Sequence, residues 1–419
     1  MATEQNPGNG PDIFRTFKVI PSYTRRRELP SIRVQLYLSE GESPFGPPPE
    51  YDQIVKEIAQ SGLHTEKGSH YENVNTLAAE NFVRERFELD KTGLKKPYIT
   101  FSAGGSDMIL DKIMGLFKNN TQVHALGPHF PPLETYMDER NPSLEYISIE
   151  QPLREPPEKG LELAKQLTLD RERAFEMVQR DLTEEGAKPK ENFSHTVFYI
   201  CNPNTPLGTV IQPEAISDFV AFQEQHGNLV IIDEAFGDAL PDKDSAAKLT
   251  NTHDNVIVLR TLSKLIGIPG ERLGYAIMSS GVGNMYEGRR KSYDISGPQV
   301  ELLNRIMDNK IISGHLQEIV PMVRAIKKPL IEGIKNAGFR VVQDGGGETV
   351  PIFTVQAYDE QLYDQLEYAS VDVAPGKAFF STHFDFYNNS LFRVRVPGTW
   401  HEAQELIRRM TLADISSRF

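Results

Sequence analysis

Apolar residues are spaced differently in the two halves of the chain. Between about residues 95 and 262 they gather in short runs: KPYITFS (96–102), TQVHALG (121–127), HTVFYIC (195–201), NLVIIDE (228–234) and NVIVLRT (255–261). These runs are rich in β-branched residues and apolar on both alternations, which predicts strands buried on both faces of a parallel sheet. Stretches of helical period separate them, at 170–184 and 213–226, and two more precede them, at 51–61 and 73–88. The order strand, glycine turn, helix is clearest at KPYITFSAGGSD, where a helix is expected to start near Asp107. Beyond residue 300 the spacing predicts a long helix over 299–336, strands at 339–343 and 349–356, a helix over 358–368, a strand at 391–396 and a last helix over 400–411. The fold class is therefore α/β, a large domain with a mainly parallel sheet flanked by helices, followed by a smaller α+β domain. Residues 1–12 read as a flexible arm, SPFGPPPE (43–50) as an irregular connector, and the charged stretch 151–191 as a solvated insertion carrying one helix.

Composition narrows the function. The chain has 419 residues, 39% of them hydrophobic, enough to bury more than one core. A net charge of −13 argues against nucleic acid as a partner, since phosphate binding needs clustered Lys and Arg. The single cysteine, Cys201, excludes an internal disulfide and fits a reducing compartment. No secretory signal is visible at the N-terminus, and no apolar run nears the roughly 20 residues that cross a bilayer. The expectation is a cytoplasmic protein with no membrane partner and a small-molecule substrate.

Four segments carry candidate chemistry. In RTLSKLIGIPGERLGY (260–275), Lys264 follows directly on a buried-type strand and Arg272 lies eight residues on. Alone, Lys264 reads as a surface lysine. At the end of a parallel strand, where ligands of open α/β sheets gather, it reads as an amine made nucleophilic by desolvation and a nearby cation. In NLVIIDEAF (228–236), Asp233 ends an apolar strand, where a carboxylate can pair with a protonated ring nitrogen, cap a helix or bind a metal. In CNPNTPLG (201–208), two prolines and a glycine force an irregular turn from which Asn202, Asn204 and Thr205 offer side-chain hydrogen bonds. In SAGGSD (102–107), small residues before a helix expose backbone N–H groups to an anion.

Taken in order, these segments resemble fold-type I pyridoxal 5'-phosphate (PLP) enzymes, specifically the class I/II aminotransferase superfamily, and within it the histidinol-phosphate aminotransferase and threonine-phosphate decarboxylase branches. The resemblance runs over roughly 35–410. It implies an N-terminal arm and part of a small domain over 1–55, a PLP-binding domain over 56–300, a small C-terminal domain over 301–419, and a homodimer. It further implies that Lys264 carries the cofactor as a Schiff base and later moves the substrate proton, that Asp233 faces the pyridine nitrogen, and that Arg272, Thr261, Ser263, Gly105, Ser106 and Asp107 meet the phosphate. By the same resemblance Phe130 stacks on the ring, Asn204, Thr205 and Phe236 are cofactor-binding residues beside it, Tyr71 reaches the neighbouring subunit's phosphate, and Arg393 in SLFRVRVPGT clamps the substrate carboxylate. Arg395, on the same strand face, is a candidate for a second anionic group or a structural ion pair.

Two positions depart from the family pattern: Thr205 stands where an asparagine usually donates to the cofactor's phenolic oxygen, and Phe236 where a tyrosine does. The leading expectation is an aminotransferase acting on an amino acid. The alternatives are a PLP lyase, decarboxylase, cyclase or oxidase, and a non-catalytic binding protein on the same fold.

Overall fold

The computed structural model describes residues 36–62, 75–90, 95–150, 155–184, 196–290, 294–342, 347–356, 361–376, 379 and 391–417. Its main sheet has seven strands: β2 (Tyr98–Ser102), β3 (Gln122–Gly127), β4 (Glu145–Glu150), β5 (Thr196–Cys201), β6 (Leu229–Asp233), β7 (Val256–Thr261) and β8 (Gly274–Met278), in the order β2-β8-β7-β6-β5-β3-β4. β3 to β7 are mutually parallel, whereas β8 is antiparallel to both neighbours, so β2 runs with the other five. The pairings Ser102↔Gly274, Gly274↔Thr261 and Cys201↔Asp233 bring the C-terminal ends of β2, β5, β6 and β7 to one edge. Every residue of β5, β7 and β8 is buried, as expected of strands covered on both faces.

Four readings from the sequence change. β4 and β8 were not foreseen: EYISIE alternates weakly, and GYAIM follows the glycine loop so closely that it reads as part of it. The long helical stretch near 299–336 is two helices, Gly297–Ile306 and Asn309–Asn336, because Asp308 caps the second through Lys310 N at 2.8 Å and Ile311 N at 3.3 Å. The charged stretch holds a 27-residue helix, Glu158–Glu184, that is no solvated insertion. It buries Leu161, Ala164 and Thr168, the last hydrogen-bonded to Gln223 of the helix Pro213–Gln225 at 3.2 Å. The helix after β2 begins at Gly105, two residues earlier than expected.

A second core joins the two ends of the described chain. Leu36 and Leu38 pack with Val323, Leu330, Ile352, Phe392, Val394 and Leu406 around an antiparallel sheet of β9 (Arg340–Val342), β10 (Ile352–Gln356), β12 (Ala374–Pro375) and β13 (Leu391–Arg395). β1 (Leu36–Tyr37) pairs with β11 (Val371–Asp372) beside it. This core also takes in Phe236 and Leu265, which flank the chemistry-bearing turns of the main sheet. The candidate site thus lies where the two cores meet.

Polar groups fasten that seam. Lys327 is 4% exposed and donates to the carbonyls of Gly347 (2.6 Å), Val350 (2.9 Å) and Ile352 (2.9 Å). Burial pushes its amine down to about 7, against three acceptors that favour the charged form. Gly208, at φ +71°, passes so close that a Cβ would lie 2.1 Å from Ile352 O, and Thr354 Oγ1 donates to Pro206 O at 2.8 Å. The 201–208 turn is therefore clamped to the small sheet. Lys327→Met is expected to take the shared donor from three carbonyls, of which Gly347 O keeps a bond from Val350 N at 3.1 Å, and to destabilise the protein by about 3 kcal/mol, read as a lower midpoint in thermal or urea unfolding. An unchanged midpoint would show that these bonds carry no stability.

Candidate active site

Turns at the C-terminal edge of the main sheet, together with residues 40–42 and β13, enclose a cavity of about 610 Å³. Ser106, Asp107, Phe130, Thr205, Asp233, Phe236, Thr261, Ser263, Lys264, Arg272 and Arg393 all line it. Eleven of the residues singled out from the sequence thus share one space.

One wall is built to take an anion. Gly105 opens its helix at φ +74°, and its N–H donates to Arg272 O at 2.7 Å. Arg272 is itself left-handed (φ 55°), which turns its guanidinium back to Asp107 Oδ2 at 3.0 Å. Gly274 is required here, because a Cβ would sit 2.3 Å from Ser106 N. Thr261 Oγ1 donates to Ser263 Oγ at 3.0 Å and lies near the Gly105 backbone. Backbone N–H groups at a helix start, three hydroxyls and a guanidinium make a set of donors suited to a phosphate.

Asp233 stands at the end of β6, 6% exposed. Burial lifts its carboxyl to about 6, although Tyr199 Oη donates to Oδ2 at 2.5 Å and Ala235 N to Oδ1 at 2.9 Å. Tyr199 was not singled out from the sequence. Its signal was its place in HTVFYIC, two residues before the turn and so on the face that β5 shares with Cys201. His129, which burial drives down to about 4, stands edge-on to Tyr199 and accepts or donates at Tyr146 Oη (2.5 Å). Behind Asp233, Arg260 ties Glu234 (2.7 Å) and Asp238 (2.6 Å) to β7, and Arg86 adds Asp238 (3.0 Å) and Asp242 (2.7 Å). That buried ion network fixes the turn carrying Ala235 and Phe236.

Lys264 reaches the cavity from the turn after β7, its amine 5.5 Å from the centre of the Phe236 ring. Burial lowers its pKa first, Arg393 second, while Asp107 and Glu40 pull the other way. No ion pair joins it to a carboxylate among the described residues. His315 Nε2 lies 3.2 Å from Leu265 O and steadies the turn. Arg393, 4% exposed on β13, donates to Thr205 Oγ1 at 3.1 Å and to Ser39 O, with Phe379 beneath it at 4.7 Å. As an acceptor there, the Thr205 hydroxyl keeps its own hydrogen to donate.

Other expectations fall elsewhere. Asn204 does not face the cavity. Its amide donates to Pro128 O at 2.9 Å and accepts from Leu207 N at 3.2 Å, so it shapes the turn. Asn202 likewise holds Ile211. Arg395 is absent from the lining and donates to Tyr37 O at 2.6 Å, a structural contact. Tyr71 lies outside the described residues. Glu40 and Glu42 line the cavity and were not singled out, because SEGES before a proline connector carries no signal of chemistry.

Residues 159–410 match the family model described as aminotransferase class I and II. A histidinol-phosphate aminotransferase of Thermoanaerobacter pseudethanolicus is 25% identical over 320 residues, 75% of this chain and 77% of that protein. An aromatic amino acid aminotransferase of Mycobacterium marinum is 49% identical over 83 residues, 19% of this chain and 23% of that protein. Among solved structures, the histidinol-phosphate aminotransferase of Sinorhizobium meliloti in complex with pyridoxal-5'-phosphate superposes with a TM-score of 0.66 at 16% identity, covering 92% of each chain.

The raised carboxyl at Asp233 has a measurable cost. Its folded pKa, about 6, lies above the ordinary 3.8, so the folded state holds the proton more tightly and loses stability as pH rises from about 4 to 6. At pH 7, Asp233→Asn should therefore stabilise the cofactor-free protein by about 1–3 kcal/mol, and the gain should vanish below about pH 4. A destabilised variant at pH 7 would contradict this.

Proposed function

The chain belongs to the class I and II aminotransferase family, a PLP-dependent enzyme family, and from that premise we propose that it transfers the amino group of an α-amino acid to a 2-oxo acid, with Lys264 as the cofactor-bearing amine. One observation carries the assignment of the site: a desolvated amine, a buried carboxylate and a buried guanidinium, from three different elements, line a single cavity.

The donor set fits PLP. The Gly105 turn, Ser106, Thr261, Ser263 and Arg272 would hold the phosphate, and Asp233 the ring nitrogen. When bound, the cofactor supplies a carbonyl that takes up the amino group and a ring that draws electrons from the substrate Cα. The remaining work falls to the chain. Arg393 holds the substrate carboxylate in two-pronged fashion, its orientation set by Thr205 and Ser39. Because burial and Arg393 lower the Lys264 pKa, more of its amine is neutral near pH 7 than for a solvated lysine, and only the neutral amine attacks a carbonyl or takes a proton from Cα. Asp233, kept ionised by Tyr199 and Ala235, holds a positive charge on the ring side. Phe130 and Phe236 give apolar walls that exclude water.

A second reading rests on Phe236. With no hydroxyl there, Thr205 is the one cavity-lining turn residue left to donate on that side, a setting that also suits decarboxylation or elimination. We further propose a cytoplasmic homodimer. No helix among the described residues is long and apolar enough to cross a membrane, and Leu77, Met108 and Met285 are exposed.

The test is to incubate the PLP-loaded protein with amino acids and a 2-oxo acid acceptor and to follow products by mass spectrometry. Amine transfer to the acceptor is expected, and Lys264→Ala should lower it by about 10³-fold or more. Products formed without any acceptor would replace transamination by the second reading, and a Lys264→Ala variant of undiminished rate would remove Lys264 from the chemistry.

A further inference from the structure

The segment that precedes the proline connector is fixed over the cavity. Leu38 N donates to Asp372 O at 2.7 Å, Arg395 N to Leu38 O at 2.9 Å, and Ser39 Oγ to Asp372 Oδ2 at 2.5 Å, while Ser39 O accepts from Arg393. Gly41 then passes so close to the site that a Cβ would stand 2.7 Å from Phe236 Cζ and 3.5 Å from Lys264 Nζ. Only glycine allows that approach, and it places Glu40 in the cavity lining rather than in open solvent.

Glu40 is half-buried and makes no ion pair among the described residues. Burial raises its carboxyl; Lys264 and then Arg393 oppose that, and Glu42 and Asp372 add to it. The other charged groups of the cavity are accounted for. Arg272 already faces Asp107 and would meet a phosphate, Asp233 would meet the ring nitrogen, Arg393 the substrate carboxylate, and Lys264 acts in its neutral form, which burial and Arg393 favour. With cofactor and substrate carboxylate in place, Glu40 is left beside Glu42, half-buried in the cavity wall. A neutral side chain would leave that charge uncompensated, and a phosphate-bearing one would bring more negative charge to it, with no further cation among the lining residues.

We propose that Glu40 selects substrates whose side chain carries a positive charge, so that the amino donor is a basic amino acid. This rests on the amine-transfer reading and narrows it. It also separates the chain from the phosphate-bearing substrate in the names of several of its relatives.

The experiment compares lysine with norleucine, which lacks only the terminal amine, and with glutamate, on PLP-loaded wild type, Glu40→Gln and Glu40→Asp. Steady-state rates and calorimetric dissociation constants are both read. Wild type should favour lysine over norleucine by about tenfold or more in kcat/KM and in affinity. Glu40→Gln should raise KM and the dissociation constant for lysine by about tenfold with little change in kcat, and Glu40→Asp should keep most of the preference. Equal or stronger binding of norleucine or glutamate by wild type overturns the proposal, as does a Glu40→Gln variant that loses lysine and norleucine alike. If no amino acid of any charge donates its amine, the amine-transfer reading fails, and the dissociation constants still decide whether Glu40 selects a cation.

Discussion

Desolvation of one amine governs the site. An ammonium in water is strongly solvated and inert; in the turn after β7, beside Phe236, Lys264 has lost much of that solvation, and Arg393 makes its charged form worse still. Asp233, buried in the same cavity, would neutralise it if the two met. Instead Tyr199 and Ala235 occupy the carboxylate oxygens, and no ion pair forms between the two. Holding both groups partly desolvated and apart costs stability, and the ion network of Arg86, Arg260, Glu234 and Asp238 fixes the turn that follows Asp233.

The seam between the two cores supplies the second half of the site. The main sheet brings Asp233, Lys264 and the turn around Gly105 to one edge. The buried guanidinium of Arg393 comes from β13, and the strap 38–42 comes from the start of the described chain. Thr354 ties the 201–208 turn to the small sheet through Pro206 O, and Thr205 and Arg393 meet at 3.1 Å across the seam. A shift of either core relative to the other would separate Arg393 from the Lys264 amine.

Much of this was legible in the sequence. Apolar strands that end at Asp233 and just before Lys264 announced a parallel sheet with chemistry at its C-terminal edge, and most residues named from those turns do line the cavity. What escaped was whatever depends on long-range packing. Glu40 and Glu42 sit in a segment without periodicity, brought to the site by the pairing of β1 with β11 and by the contacts of Leu38 and Ser39 with Asp372, Arg393 and Arg395. Tyr199 looked like one more core aromatic until its hydroxyl met Asp233. Asn204 and Arg395 look like ligand residues by type and position, yet their donors are used by Pro128 O and Tyr37 O. β8 was hidden because Gly274, which the close approach of Ser106 N demands, blurs the start of the strand.

The most direct test is to load the protein with PLP, reduce it with borohydride and map the modified peptide by mass spectrometry. The cofactor should be found on Lys264, in the peptide that follows β7. Attachment to any other lysine, or no reducible adduct at all, would contradict the account.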